Sequence, residues 1–122
     1  MVSLVTDRGL KALVDAIVAS NSVKYIGWGG GSGQGLTATD LAAAFSESRT
    51  AGMPSVATTN TTDDTYRVTG GIAATVARAV TEVGVFSDAV GASLSVYGDF
   101  AAINLGVGDT ISFTIDVVID QV

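Results

Sequence analysis

The stretch Thr110-Ile111-Ser112-Phe113-Thr114-Ile115-Asp116-Val117-Val118-Ile119-Asp120 decides the fold. Ile111, Phe113, Ile115, Val117 and Ile119 share one parity, and Ser112, Thr114, Asp116, Val118 and Asp120 share the other. Successive side chains of an extended chain point to opposite faces, so this period of two predicts a strand over 110–122 with one apolar face turned inward. The many β-branched residues agree with it.

A strand with one dry face needs a partner layer, and the preceding segments supply one. Ala92 to Phe100 and Ala79 to Phe86 read as further strands. Tyr66, Val68, Gly70, Ile72, Ala74 and Val76 line one face of a long strand, in which Gly70-Gly71 marks a bulge or bend. Asn60 to Asp64 is a polar turn, and Arg49 to Thr59 is extended with the only proline, Pro54. Proline cannot donate to a sheet ladder, so that segment belongs at a sheet edge or in a loop. Strands joined by Gly, Asp and Asn turns, with no helix between each pair, predict a mainly β chain. The expected architecture is an antiparallel β-sandwich, jelly-roll-like, forming one domain over 1–122.

The first third is different. Leu10, Leu13, Val14, Ile17 and Val18 recur at helical spacing, which predicts an amphipathic helix over 6–20 with Thr6 or Asp7 as N-cap and a stop at Ser20-Asn21. Val23 to Trp28 is a short strand that runs into Gly29-Gly30-Gly31-Ser32-Gly33-Gln34-Gly35. Thr37 and Asp40 then resemble a capping box ahead of Leu41-Ala42-Ala43-Ala44-Phe45, which predicts a second, short helix within 38–47.

Composition removes much chemistry. The chain has no cysteine and no histidine, which excludes disulfides, thiolate nucleophiles, most zinc sites and imidazole acid–base catalysis. Six basic residues against twelve acidic ones give a net charge of −6, which opposes binding to nucleic acid or anionic lipid. Charged residues make up only 15% of the chain, below the roughly 25% of ordinary soluble domains, while 48% is hydrophobic. A surface this poor in charge fits a protein partly covered by neighbours. No stretch reads as an export signal or is long enough to span a bilayer.

Three motifs invite chemistry, and each has a plainer reading. Gly30 to Thr37 fits the spacing of a phosphate-binding loop, but Leu36 stands where the lysine is required. A structural or contact loop is the better account; Trp28 with Gly30, Gly31 and Gly33 forms the candidate contact surface, and packing of this lone tryptophan in the core is an equally good reading. Glu82 sits in the apolar run Val80-Thr81-Glu82-Val83-Gly84-Val85-Phe86, where a charge needs a partner: Arg49, Arg67, Arg78, or backbone amides at a bulge. Asp63-Asp64 lacks the spacing of a calcium loop. No catalytic, cofactor or metal residue is expected, and every serine lacks a histidine or a Ser-x-x-Lys partner.

Several collinear segments resemble a group of small virion proteins of tailed bacteriophages. They are Leu4-Val5-Thr6-Asp7-Arg8-Gly9-Leu10, Tyr25-Ile26-Gly27-Trp28-Gly29, Thr39-Asp40-Leu41 leading to Arg49, and Thr81-Glu82-Val83-Gly84-Val85-Phe86-Ser87. The last is Ile103-Asn104-Leu105 with Gly108-Asp109, Ile111, Phe113 and Ile115. Members are similar to capsid decoration, or cement, proteins, and related modules occur in tails and fibres. The resemblance implies a β-sandwich or jelly roll on the outer surface of the virion head, synthesised in the host cytoplasm. Its partners would be the major capsid protein and copies of itself, as a dimer or trimer. It carries over no catalytic residue, and it makes Glu82 and Arg49 determinants of the fold. A tail, collar or fibre role is the alternative. A carbohydrate-binding module or small hydrolase using Trp28, Glu47 and Glu82 is a third.

Overall fold

The structure, a computed structural model, describes residues 3–119. The described residues form one helix, α1 (Asp7–Ser20), and seven strands. These are β1 (Tyr25–Gly29), β2 (Thr50–Ala51), β3 (Met53–Ala57), β4 (Thr65–Ala73), β5 (Arg78–Phe86), β6 (Leu94–Leu105) and β7 (Thr110–Val118). They assemble into two antiparallel sheets, ordered β2-β1-β5-β6 and β3-β4-β7.

Helix α1 begins where its sequence says it should. Thr6 has extended backbone and its hydroxyl accepts the Gly9 amide at 3.2 Å, satisfying one of the free first-turn donors. Asn21 closes the other end in the left-handed region, φ 52°, donating to the Val18 carbonyl. The buried stripe is narrower than the periodicity suggests: Leu10 and Val14 are buried, Ile17 and Val18 partly so, and Leu13 is 48% exposed. The helix packs on β3 and β4, at one side of the smaller sheet, so only a thin line of its surface is covered.

The alternation in β7 is realised over Thr110–Val118, while the expected extension through 120–122 lies outside the described residues. Its inner side chains, Ile111, Phe113, Ile115 and Val117, are only half-buried against the core. Strand β6 runs on to Leu105, five residues past its expected end, because its pairing with β5 continues to Arg78↔Leu105. The extended segment 49–59 divides between the sheets: β2 edges the first, and β3, with Pro54, edges the second. Gly70-Gly71 is not a bulge, since the β4–β7 register passes through both without a shift. The irregularities fall instead in β5–β6, between Val80 and Glu82 and between Val85 and Phe86.

The core joins both sheets and the helix. Ile26 and Trp28 of β1, Val80 and Val85 of β5, Val68 of β4 and Val14 of α1 belong to one buried cluster. Tyr66 adds a polar tie by donating its hydroxyl to the Val23 carbonyl.

The second helix expected within 38–47 does not form. Residues 41–45 are irregular, bending at 42–43, with an isolated bridge between Ala44 and Gly29 at the end of β1. Gly30 donates to the Ala43 carbonyl and Phe45 to the Trp28 carbonyl, so the segment's backbone is committed to β1. A helix of this length is marginal alone. A stronger demand from Glu82 overrides it.

Candidate functional site

Glu82 is fully buried and faces the glycine run and residues 41–43. One carboxylate oxygen, Oε2, accepts the Gly31 amide at 2.7 Å and the Ala43 amide at 3.0 Å, and Oε1 accepts the Ala42 amide at 2.7 Å. A desolvated carboxylate needs strong donors, and three charge-assisted bonds supply them. Of the partners the sequence offers, backbone amides take the role and no arginine does. The amides come from the glycine loop and the 41–43 segment, and not from the bulge in the strand's own pairing.

This geometry also explains the glycines. A Cβ on Gly31 would lie 2.6 Å from Ala42 Cβ and 2.7 Å from Glu82 Oε2, and one on Gly29 would lie 2.6 Å from the Ala43 carbonyl oxygen. The loop is close-packed against the carboxylate because neither residue has a side chain. Converging backbone amides are what an anion-binding loop presents. Here the anion is the protein's own Glu82. Further out, Thr81 donates to the Gly31 carbonyl, Gln34 to the Asp40 carbonyl, and Gly33, at φ 79°, to Asp99. Tyr97 points its buried hydroxyl to the same region, and burial followed by the charge of Glu82 pushes its phenol pKa upward.

Trp28, which the sequence allows either at a contact surface or in the core, is 1% exposed and lies in the core. Its indole nitrogen donates to Glu47 Oε1 at 3.1 Å, while Oε2 of the same residue accepts the Thr75 amide and hydroxyl and the Arg78 Nε at 3.1 Å. Burial alone would raise the Glu47 pKa, but the bonds from Thr75, Arg78 and Trp28 outweigh it and hold the group at about 2. Tryptophan supplies the area that a core needs, and its one polar atom needs an acceptor there. Trp28, Glu47 and Glu82 thus face inward. Of the expected contact loop, Gly30 and Gly33 are exposed and Gly31 is half-buried.

Arg49 anchors another loop. Its guanidinium lies 3.4 Å from the centre of the Phe86 ring and donates to the carbonyls of Asp88 and Gly91 at 3.0 and 2.7 Å. Asp40 Oδ1 is 3.7 Å away. The guanidinium edges a cleft of about 320 Å³ that also involves Asp40, Leu41, Phe45 and Val90.

The polar turn at 60–64 is built round one of its two aspartates. Asp64 is buried and accepts the amides of Thr59, Asn60 and Thr61 and the Thr65 hydroxyl. The Thr61 amide is the largest influence, and together these donors overcome burial and hold the carboxyl well below the usual range. A run of Thr and Asn before an aspartate is the signal of such a side-chain-closed turn. Among the described residues no group of three or more acidic side chains is placed to hold a metal ion, and no helix is long and apolar enough to cross a membrane.

The acids Glu47, Asp64 and Glu82 thus each hold a loop to a strand. The outer surface carries apolar side chains instead: Leu4, Leu36, Met53, Val90 and Val107 are all more than two-thirds exposed. Comparison with protein-family models, with curated proteins and with solved structures finds no match to this chain.

Proposed function

We propose that this protein decorates the outside of a bacteriophage head, binding the major capsid protein and tying capsomers together, with copies of itself as further partners. The proposed architecture is a β-sandwich in which the two sheets share the core described above. One observation carries the reading: the buried carboxylates are engaged by backbone amides and neighbouring side chains, while large apolar residues stand exposed on a surface poor in charge. Such a surface is suited to many modest contacts, which a lattice multiplies. The collinear resemblance to phage decoration proteins points the same way. A sugar-binding reading needs the Trp28 ring at the surface, and that ring lies in the core.

The test is electron microscopy of phage heads lacking decoration, incubated with the purified protein. Regular added density on the head surface is expected, along with greater resistance of the heads to heat. Density confined to the tail or collar, or no binding at saturating protein, would overturn the proposal.

A further inference from the structure

The four sheet edges are unequally protected. Strand β2 is only two residues long, and β3 carries Pro54, so these edges offer little to an incoming strand. The opposite edges, β6 and β7, are twelve and nine residues long and contain no proline. Each has one charged residue, Asp99 in β6 and Asp116 in β7. Asp116 is itself drawn toward β4 by a two-pronged pair with Arg67, at 2.7 and 2.9 Å. The sheets do not close along this side, where a cleft of about 280 Å³ opens between Val96, Tyr97 and Gly98 of β6 and Ile115 of β7. The inner row of β7 is left half-buried.

From this we infer that β7 pairs with β7 of a second copy of the chain, antiparallel about a two-fold axis at Thr114, joining two three-stranded sheets into one of six. The inference rests on the reading of the protein as an assembling structural protein and names the surface that copies share. The occupant follows from the strand's own pattern. Strict alternation matches apolar to apolar only when residues of like parity face each other. Thr114 is the midpoint of Thr110–Val118, so this register alone pairs the whole edge. It sets Phe113 opposite Ile115 and Ile111 opposite Val117 on the inner face. On the outer face each Asp116 meets a Ser112 hydroxyl, whereas an axis at Asp116 would set two carboxylates against each other.

The register makes a signed prediction. Ser112→Asp places two like-charge contacts across the axis, and Ser112→Lys places two ion pairs there. Sedimentation equilibrium of the full chain should show a wild-type dimer, weakened about tenfold by Ser112→Asp and tightened by a similar factor by Ser112→Lys. Simple blocking of an edge by charge would weaken both. Circular dichroism checks that each variant folds, and amide exchange of the wild type provides a readout independent of them: protection over 110–118 should rise with protein concentration. A monomeric wild type, equal effects of the two variants, or concentration-independent exchange would overturn the inference. Head binding by a strictly monomeric protein would do the same while leaving the proposed function in place. Loss of head binding in both variants of such a monomer would give the edge to a strand of another protein.

Discussion

Replacing Glu82 by glutamine keeps the shape of the side chain and removes only its charge and one acceptor. Two of the three amides converge on Oε2, so the glutamine carbonyl will take that place and accept from Gly31 and Ala43. Its NH₂ group then faces the Ala42 N–H, donor against donor, where the wild type has a bond of 2.7 Å. Charge-assisted bonds contribute about 1.5–3 kcal/mol and neutral ones about half that, while a buried donor left unsatisfied costs about 1–3 kcal/mol. Burying a neutral amide is easier than burying a carboxylate, which offsets part of the loss. The net expectation is a destabilisation of about 2–4 kcal/mol, a large share of the roughly 5–15 kcal/mol that holds an ordinary domain together. At about 4 °C per kcal/mol for a chain of this size, Tm should fall by about 8–16 °C in a thermal melt followed by circular dichroism. Amide exchange should quicken first at Gly31, Ala42 and Ala43. A Tm within about 2 °C of wild type, with exchange at those three amides unchanged, would refute the assignment of Glu82 as the anchor of the loop.

Three other perturbations probe the neighbouring contacts. Glu47 and Asp64 both titrate below the ordinary carboxylate range in the folded protein, so the Glu47 contribution is present above about pH 4.5 and is lost as the pH falls through about 2, and the Asp64 contribution is lost in the same direction on further acidification. Urea midpoints measured down that range should drop steadily, and Glu47→Gln should flatten the slope. Gly31→Ala forces a methyl into atoms less than 3 Å away and should cost about 1–3 kcal/mol by urea denaturation. Arg49→Lys keeps the charge but loses the fork on Asp88 and Gly91 and the stack on Phe86, so a loss of about 1–2 kcal/mol with faster exchange over 88–93 is expected.

What the sequence discloses is what neighbours along the chain decide. The parity of Ile111, Phe113, Ile115 and Val117, the Thr6 cap, and Pro54 at an edge all follow from local geometry, and all appear in the structure. Glu82 stands out as an acid that needs a partner because every apolar residue around it implies burial. The identity of that partner is hidden, since Gly31, Ala42 and Ala43 are 39 to 51 residues away. The same distance defeats the helix expected over 38–47. Alanine favours a helix by only tenths of a kcal/mol per residue over most alternatives, and a buried carboxylate without donors costs far more. Trp28 is left undecided by its neighbours for a related reason: a tryptophan beside glycines suits a binding surface as well as a core, and only Glu47, nineteen positions on, shows that its nitrogen is satisfied inside.

The order β2-β1-β5-β6 has a consequence for how the chain reaches this state. Strand β1 is made before its principal neighbour, β5, which begins at Arg78, and the carboxylate that organises the glycine loop is carried on that later strand. Until Glu82 leaves the ribosome, residues 29–45 have no anion to gather round and Trp28 has no wall to pack against. The segment from β1 through the glycine loop therefore cannot complete its structure before β5 is available, whereas the bonds of α1 are local. Such distant pairing places folding among the slow, millisecond-to-second class of small domains, and a nascent chain arrested before β5 should leave its glycine loop open to proteases.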